Sequence, residues 1–104
     1  MSSIRMTYPT AAVLQALERE HRYGFDISQA TGLRRGTVYP ILRRLEEGGL
    51  VTSHWEDPEQ PRDEGRPPRK YYRLTALAEP VVGRARDTYP LPEPNAATAA
   101  ATRG

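Results

Sequence analysis

Residues 36–46 read GTVYPILRRLE, and this stretch decides the fold. Its apolar residues recur at the spacing that places them on one face of an α-helix. They are Val38, Ile41, Leu42 and Leu45. The opposite face carries Gly36, Tyr39, Pro40 and Arg43, with Arg35 and Arg44 at its edges. We therefore predict a helix within residues 34–47 that packs one face on a small domain and leaves the other for a partner.

Pro40 is the irregular feature of this helix. It lacks the N–H group that would bond to the carbonyl of Gly36, and it disfavours a helical conformation at Tyr39. Two alternatives follow: the regular helix begins near Thr37, or its first turn is distorted. The glycine pair at 48–49 ends the helix.

Two further helices precede this one. The first spans about residues 9–20 and has an apolar stripe of Val13, Leu14 and Leu17. The second is short, at residues 24–31, and Gly32 follows it, where a left-handed backbone costs glycine nothing. We expect the second helix to bury Phe25, Ile27 and Ala30.

A hairpin with a long loop comes next. Residues 50–55 alternate in polarity and contain β-branched side chains, which predicts a strand. Residues 69–74 read RKYYRL and form the returning strand. The segment between them, residues 57–68, is polar and rich in proline, as is typical of a loop.

The C-terminal part is a short helix and a tail. Thr75 is a candidate N-cap, and Pro80 either kinks the helix or restarts it. The predicted apolar stripe is Val81, Val82 and Ala85. From residue 89 the composition changes to proline, alanine and threonine. We interpret residues 8–88 as one domain and residues 89–104 as a largely disordered tail.

The composition excludes several classes of protein. The chain has 104 residues, enough for one domain, and no cysteine for a disulfide, a thiolate metal site or a nucleophile. The histidines His21 and His54 lie in no metal-ligand spacing, and no nucleophile–base pair or phosphate loop is evident, so we expect no enzyme, cofactor or metal. No apolar stretch approaches the ~20 residues of a membrane span, and no signal peptide is evident, so we expect a soluble cytoplasmic protein.

Positive charge falls in two groups. The first consists of Arg34, Arg35, Arg43 and Arg44. The second consists of Arg66, Arg69, Lys70 and Arg73. Most of the intervening charged residues are acidic, whereas a diffusely solvated surface would mix the two signs. The segregation therefore indicates two separate positive contact surfaces.

Three helices, a hairpin and a last helix, in this order, are typical of a winged helix-turn-helix domain. We predict a mainly α fold with a small β-hairpin, hence α+β, with a two-stranded wing and a short C-terminal helix. The physics of DNA recognition fits this arrangement, because an α-helix can enter the major groove with one face packed on its domain. The hairpin would then lie along the neighbouring DNA backbone.

Five stretches resemble the PadR-like family of transcriptional regulators. They are YGFDI at 23–27, TGL at 31–33, GTVYPILRRLE at 36–46, GLV at 49–51 and GRPPRKYYRLT at 65–75. The resemblance covers about residues 8–79, and GTVYP followed by YYRLT at this distance is a specific signal. By this resemblance, the helix within residues 34–47 is the recognition helix, and Pro40 belongs inside it.

The resemblance implies a bacterial repressor that binds double-stranded DNA as a homodimer. The dimer would form through the N- and C-terminal helices, and its symmetry predicts an inverted-repeat operator. Some members of the family are released from DNA by small aromatic effectors. The C-terminal helix departs from the family pattern, because it is short and contains Pro80. The alternative function is a winged-helix adaptor that binds a protein and not DNA.

We expect nine residues to contact DNA: Arg34, Arg35, Thr37, Tyr39, Arg43, Arg44, Arg66, Arg69 and Lys70. Arginine and lysine bind phosphates or read guanine, and the hydroxyls of Thr37 and Tyr39 can donate to phosphate. The GRP sequence at 65–67 resembles short hooks that enter the minor groove. The alternatives are that Arg43 pairs with Glu47, that Thr37 caps the helix, and that Tyr39 packs at the domain edge.

For the remaining aromatic residues and the histidines, the sequence predicts only whether each side chain is buried or exposed. Trp55, the single tryptophan, is expected to pack under the wing, with a stacking surface for an aromatic effector as the alternative. Tyr71 and Tyr72 point to opposite faces of their strand, so at most one of them belongs to the core. His21 and His54 are expected at the surface.

Overall fold

A computed structural model describes residues 4–57, 59 and 65–92 of the chain. Its helices are α1 (Tyr8–Glu18), α2 (Gly24–Thr31), α3 (Arg35–Glu47) and α4 (Glu79–Thr88). Its strands are β1 (Val51–Trp55) and β2 (Lys70–Leu74), and a 3₁₀ turn at Ala76–Ala78 precedes α4. The predicted order of three helices, a hairpin and a short last helix is confirmed, and the fold is a mainly α winged helix of the α+β class.

The apolar stripe of α3 lies at the centre of the core. Val38, Ile41, Leu42 and Leu45 are all buried, as the spacing predicted. They pack with residues of α1 and α2 in one cluster, together with Val51 and Tyr72 of the hairpin. Burying a side chain of this size stabilises the fold by about 1.5–3 kcal/mol, so this stripe fixes α3 on the domain and determines which of its faces remains outside.

The prediction that α2 buries Phe25 is wrong. Ile27 is fully buried and Ala30 partly buried, but Phe25 is 51% exposed. The reason is the helical period: residues two apart point to nearly opposite sides of a helix, so Phe25 points away when Ile27 points inward. Gly32 follows α2 with a φ of 77°, as predicted.

The hairpin is antiparallel and is joined to the helical layer. Val51 pairs with Leu74 at its base, and Trp55 pairs with Lys70 near its tip. The backbone N–H of Tyr72 donates to the carbonyl of Arg22 at 2.7 Å, beside an isolated bridge between residues 23 and 71. Tyr72 is buried and Tyr71 only partly so, which confirms that the two side chains point to opposite faces.

The start of the C-terminal helix shows what Thr75 and Pro80 do in the structure. Thr75 occupies the N-cap position of the 3₁₀ turn that leads into α4, as predicted, but its hydroxyl donates to the carbonyl of Gly49 at 2.7 Å and makes no capping bond. The hydroxyl is drawn away because β2 returns beside the end of α3. Pro80 lies in the first turn of α4, where its missing N–H has no helical partner to lose. The helix therefore restarts at the proline, and its predicted stripe holds, since Val82 and Ala85 are buried and Val81 is partly buried.

Residues 89–92, which the sequence assigned to the tail, pack against α1. Leu91 is buried, and Arg19 donates to the carbonyls of Leu91 and Pro92, each at 2.7 Å. The remainder of the predicted tail, residues 93–104, lies outside the described residues. Within the described part, no helix is long and apolar enough to cross a membrane.

Candidate nucleic-acid interface

The outer face of α3 is formed by residues that the core leaves in solvent. Arg34 precedes the helix in an extended conformation, and the backbone N–H groups of Thr37 and Val38 both donate to its carbonyl, at 2.9 and 3.0 Å. Because two N–H groups share one carbonyl acceptor, the first turn of the helix is tighter than a regular α-helical turn. This distorted first turn is the second of the two alternatives given for Pro40. The helix begins at Arg35, before the position near Thr37, and Pro40 lies inside it.

The cations of this face are available to a ligand. Arg34, Arg35, Arg43 and Arg44 are all exposed. Within residues 4–57, 59 and 65–92, no ion pair joins Arg43 to Glu47, so the alternative pairing is not observed. Arg35 lies with its guanidinium carbon 5.6 Å from the centre of the Phe25 ring. Among the described residues, no acidic side chain forms an ion pair with these four arginines, so the face keeps its positive charge.

The two hydroxyl residues differ in their packing. Thr37 is exposed and does not cap α3, because the helix begins two residues earlier. Tyr39 is 45% exposed, and its ring passes directly over Gly24. A Cβ atom at Gly24 would lie 2.2 Å from the Tyr39 hydroxyl oxygen, closer than atoms can approach. The ring therefore packs at the domain edge, and about half of it faces solvent.

The part of the wing near its tip carries cations of the second group. The guanidinium carbon of Arg69 lies 4.2 Å from the centre of the Tyr23 ring. The Lys70 ammonium lies 5.7 Å from the rings of both Trp55 and Tyr72. Such cation–π contacts hold a charge in place while it remains partly in solvent. Most of the wing loop, residues 58 and 60–64, lies outside the described residues.

Arg66 is placed differently from its predicted role as a minor-groove hook. Its two terminal nitrogens donate to the two carboxylate oxygens of Glu56, at 3.2 and 3.1 Å. The two side chains are only 20% and 15% exposed. A contact between Arg66 and DNA would therefore require this bidentate pair to open. In the structure the pair instead ties the beginning of the loop to its end.

The prediction that Trp55 packs under the wing is wrong. The indole is 64% exposed, although strand alternation places it on the same side as the buried Val51. The core cluster includes Val51 and Tyr72 of the hairpin but does not extend to Trp55. The predicted surface position holds for His54, which is exposed and stacks on Tyr71; His21 is partly buried and bonds Asp26 at 3.0 Å.

These positions create a feature that sequence reasoning missed, a groove of about 600 Å³ between α2, α3 and the wing. We call it the aromatic groove. It is lined by Tyr23, Phe25, Arg35, Tyr39, Trp55, Lys70 and Tyr72, together with Gly24 and residues 66–69. The helical period would have indicated the outward direction of Phe25, but nothing in the sequence brings it near Trp55.

Electrostatics within the groove are dominated by cations. Burial raises the pKa of Tyr72 above 10.0, and the nearby Glu46 carboxylate and Tyr39 raise it further, so its phenol stays neutral at physiological pH.

No group of three or more histidine, cysteine or acidic residues capable of holding a metal occurs in the part of the chain that the structure describes. The combined surface of α3 and the wing can therefore bind an anion through fixed charges.

Comparison with known proteins gives a consistent result. The profile of the "Transcriptional regulator PadR-like family" matches residues 13–82. A search of curated proteins finds no match. Among solved structures, a PadR family transcription regulator from Clostridium difficile R20291 is 26% identical with a TM-score of 0.64, over 78% of this chain and 85% of that one. A PadR-like transcription factor from Bacteroides fragilis is 30% identical with a TM-score of 0.61, over 76% and 77%. A PadR family regulator from Eggerthella lenta DSM 2243 is 28% identical with a TM-score of 0.57, over 77% and 72%.

Proposed function

The chain belongs to the PadR-like family and is a transcriptional regulator, and on that premise we propose that it represses transcription by binding operator DNA as a homodimer. The observation that carries the proposal is the outer face of α3, whose four arginines are exposed around a helix fixed by its buried stripe. A rigid helix with a cationic outer face has the dimensions and charge that the major groove accepts.

The contacts divide between the helix and the wing. The predicted helix contacts are Arg34, Arg35, Thr37, Tyr39, Arg43 and Arg44. The predicted wing contacts are Arg69 and Lys70, which the cation–π contacts hold near the groove. Most contacts of this kind go to phosphates and set the position of the protein, while a bidentate arginine reads guanine. Arg66 joins them only if its pair with Glu56 opens.

The dimer is part of the same proposal. It would form through α1 and α4, and a two-fold axis between the copies would place two recognition helices on an inverted repeat. Exposed aromatic rings at this side of the molecule support it: Tyr8 is 44% exposed and Tyr89 is 37% exposed. Release by a small aromatic effector remains a prediction from the family resemblance, and a location in the cytoplasm remains a prediction from the sequence composition.

The test is a titration of the protein's own upstream DNA, followed by fluorescence anisotropy at two salt concentrations. We expect affinity to fall steeply with salt, because bound cations release counterions from DNA. Arg43→Ala should weaken binding by about 1–3 kcal/mol if it reads a base, or reduce the salt slope by about 1 if it binds a phosphate.

Arg22→Ala is the matched control, since this exposed arginine between α1 and α2 carries the same charge but lies outside α3, the wing and the proposed dimer interface. We expect the control to bind DNA as the unmodified protein does. Binding that is absent, or equal for unrelated sequences, would contradict the repressor and favour the adaptor.

A further inference from the structure

We propose that the aromatic groove binds a free nucleoside di- or triphosphate, with its base against the exposed rings and its phosphates against the cations of the groove wall. The proposal starts from a mismatch. Cations suffice to bind the backbone of duplex DNA, which offers few base faces to a surface ring. Yet Phe25 and Trp55 are 51% and 64% exposed in this groove.

The rings and the cations occur as neighbouring pairs. Arg35 lies 5.6 Å from the centre of Phe25, Arg69 lies 4.2 Å from Tyr23, and Lys70 lies 5.7 Å from Trp55. A ligand that combines a flat π-system with negative charge would contact both members of a pair. Stacking of bases on aromatic side chains beside a cationic surface is the general way in which proteins hold unpaired nucleotides.

The charge of the groove selects a polyanion over a singly charged ligand. None of the described residues that line the groove is acidic. Glu56, at its margin, already accepts both terminal nitrogens of Arg66. Arg35, Arg69 and Lys70 therefore supply three positive charges, more than one carboxylate or one monophosphate would neutralise. Two or three linked phosphates match this number.

The size of the groove is consistent with such a ligand. Its volume of about 600 Å³ falls within the ~300–1,000 Å³ typical of small-molecule sites. Arg35, Arg69 and Lys70 are also predicted DNA contacts, so a bound nucleotide would compete with DNA for them. This consequence rests on the proposed function, whereas binding of the nucleotide itself does not.

Trp55 provides the measurement, because it is the only tryptophan of the chain. We would titrate ATP and GTP separately into the full chain without DNA, exciting the indole at a wavelength where the bases do not absorb. The expected result is saturable quenching by at least one of them. The controls are adenosine and guanosine, which lack the phosphates, and inorganic triphosphate, which lacks the base. Each control should bind at least about tenfold more weakly than the nucleotide.

Two variants separate a specific site from general attraction. Phe25→Ala removes an exposed ring, so the protein should still fold, and it should weaken nucleotide binding about fivefold or more. Arg43→Ala removes a cation that does not line the groove, so it should leave nucleotide affinity unchanged while weakening DNA binding.

Three results would overturn the proposal. The first is that neither ATP nor GTP binds saturably. The second is that inorganic triphosphate binds as tightly as ATP or GTP, and the third is that Phe25→Ala leaves the nucleotide affinity unchanged. Binding to a short single-stranded oligonucleotide but to no free nucleotide also counts against it. Failure of DNA binding with intact nucleotide binding would contradict the proposed function alone, so the two hypotheses are tested separately.

Discussion

Gly24 is the residue that allows Tyr39 to reach its position. A Cβ atom there would lie 2.2 Å from the hydroxyl oxygen and 2.7 Å or less from two ring carbons of Tyr39. Because Tyr39 is 45% exposed, its ring can swing outward, so Gly24→Ala should displace the ring and not unfold the domain. We expect weaker DNA binding with a stability change below about 1 kcal/mol, measured by anisotropy and thermal unfolding.

Gly83→Ala is the control for this substitution. Gly83 lies inside α4, and its Cβ would meet only the terminal nitrogen of Arg86 at 3.9 Å. The alanine should therefore stabilise the helix by about 0.5–1 kcal/mol. DNA binding should be unchanged when it is compared at a protein concentration where sedimentation gives the same oligomeric state as for the unmodified protein. Equal DNA affinity in both variants would show that the position of Tyr39 does not matter for binding.

Tyr72 makes stability depend on alkaline pH. Its pKa in the folded protein is raised above 10.0, chiefly by burial, so folding favours the neutral phenol. This contribution is complete below the unfolded pKa of about 10 and is lost as pH rises from there through the folded pKa. Tyr72→Phe should therefore show a shallower loss of stability above pH ~10 in urea unfolding. Tyr71→Phe is the control from the same strand, and an identical alkaline slope in both variants would refute the assignment.

Helix α3 can be compared with α4, because each contains one proline at a different place. Pro40 lies inside α3 and leaves the carbonyl of Gly36 without its helical donor, whereas Pro80 lies in the first turn of α4. Pro40→Ala should stabilise the protein by up to about 3 kcal/mol, reduced by whatever the tightened first turn already recovers. Pro80→Ala should destabilise it by about 0.4–1 kcal/mol, because only the unfolded chain gains freedom. Calorimetry that shows shifts of the same sign for both would contradict this account.

Gln15 connects α1 to the segment after α4. It is 2% exposed; its amide nitrogen donates to the carbonyl of Tyr89 at 2.8 Å, and its oxygen accepts from the N–H of Leu91 at 2.9 Å. Gln15→Leu leaves these backbone groups without partners and should cost about 1–3 kcal/mol for each group that water cannot reach. The measurement is the free energy of unfolding in urea.

Gln29→Leu, at an exposed position of α2, is the matched control and should change stability by less than about 0.5 kcal/mol. A Gln15→Leu protein as stable as this control would mean that residues 89–92 dock by other contacts.

The buried face of an element could be predicted from the sequence where its apolar residues follow a single periodicity. The stripe of α3 and the alternation of β2 determined their burial, because each element has a single apolar face. Phe25 and Trp55 could not be placed this way, since their exposure depends on where neighbouring elements end. The Arg66–Glu56 pair and the docking of residues 89–92 are tertiary contacts between parts of the chain that no local pattern connects.

The whole molecule is expected to be a dimer with one face for its partner and another for ligands. Sedimentation at tens of micromolar should give twice the 11.7 kDa of the chain. Tyr8→Glu should weaken the dimer tenfold or more, because Tyr8 packs edge-on against Tyr89 at the proposed interface. A glutamate is favourable in the first turn of a helix, so the fold should persist.

Phe25→Glu introduces the same charge on the opposite functional surface, in the aromatic groove, and should leave the dimer intact. A monomeric unmodified protein would refute the dimer, and equal dissociation of both variants would refute its placement at Tyr8.

The hydrogen bond from Tyr72 to Arg22 has a consequence for the motions of α3. It fastens two distant positions of the chain, and the segment between them contains all of α2, α3 and β1. Helix α3 thus lies within a segment of chain whose two ends are joined by a backbone hydrogen bond. Its amide protons should exchange with solvent only when the entire domain opens, as slowly as those of the core. A protein built in this way would meet DNA with a helix that is already rigid.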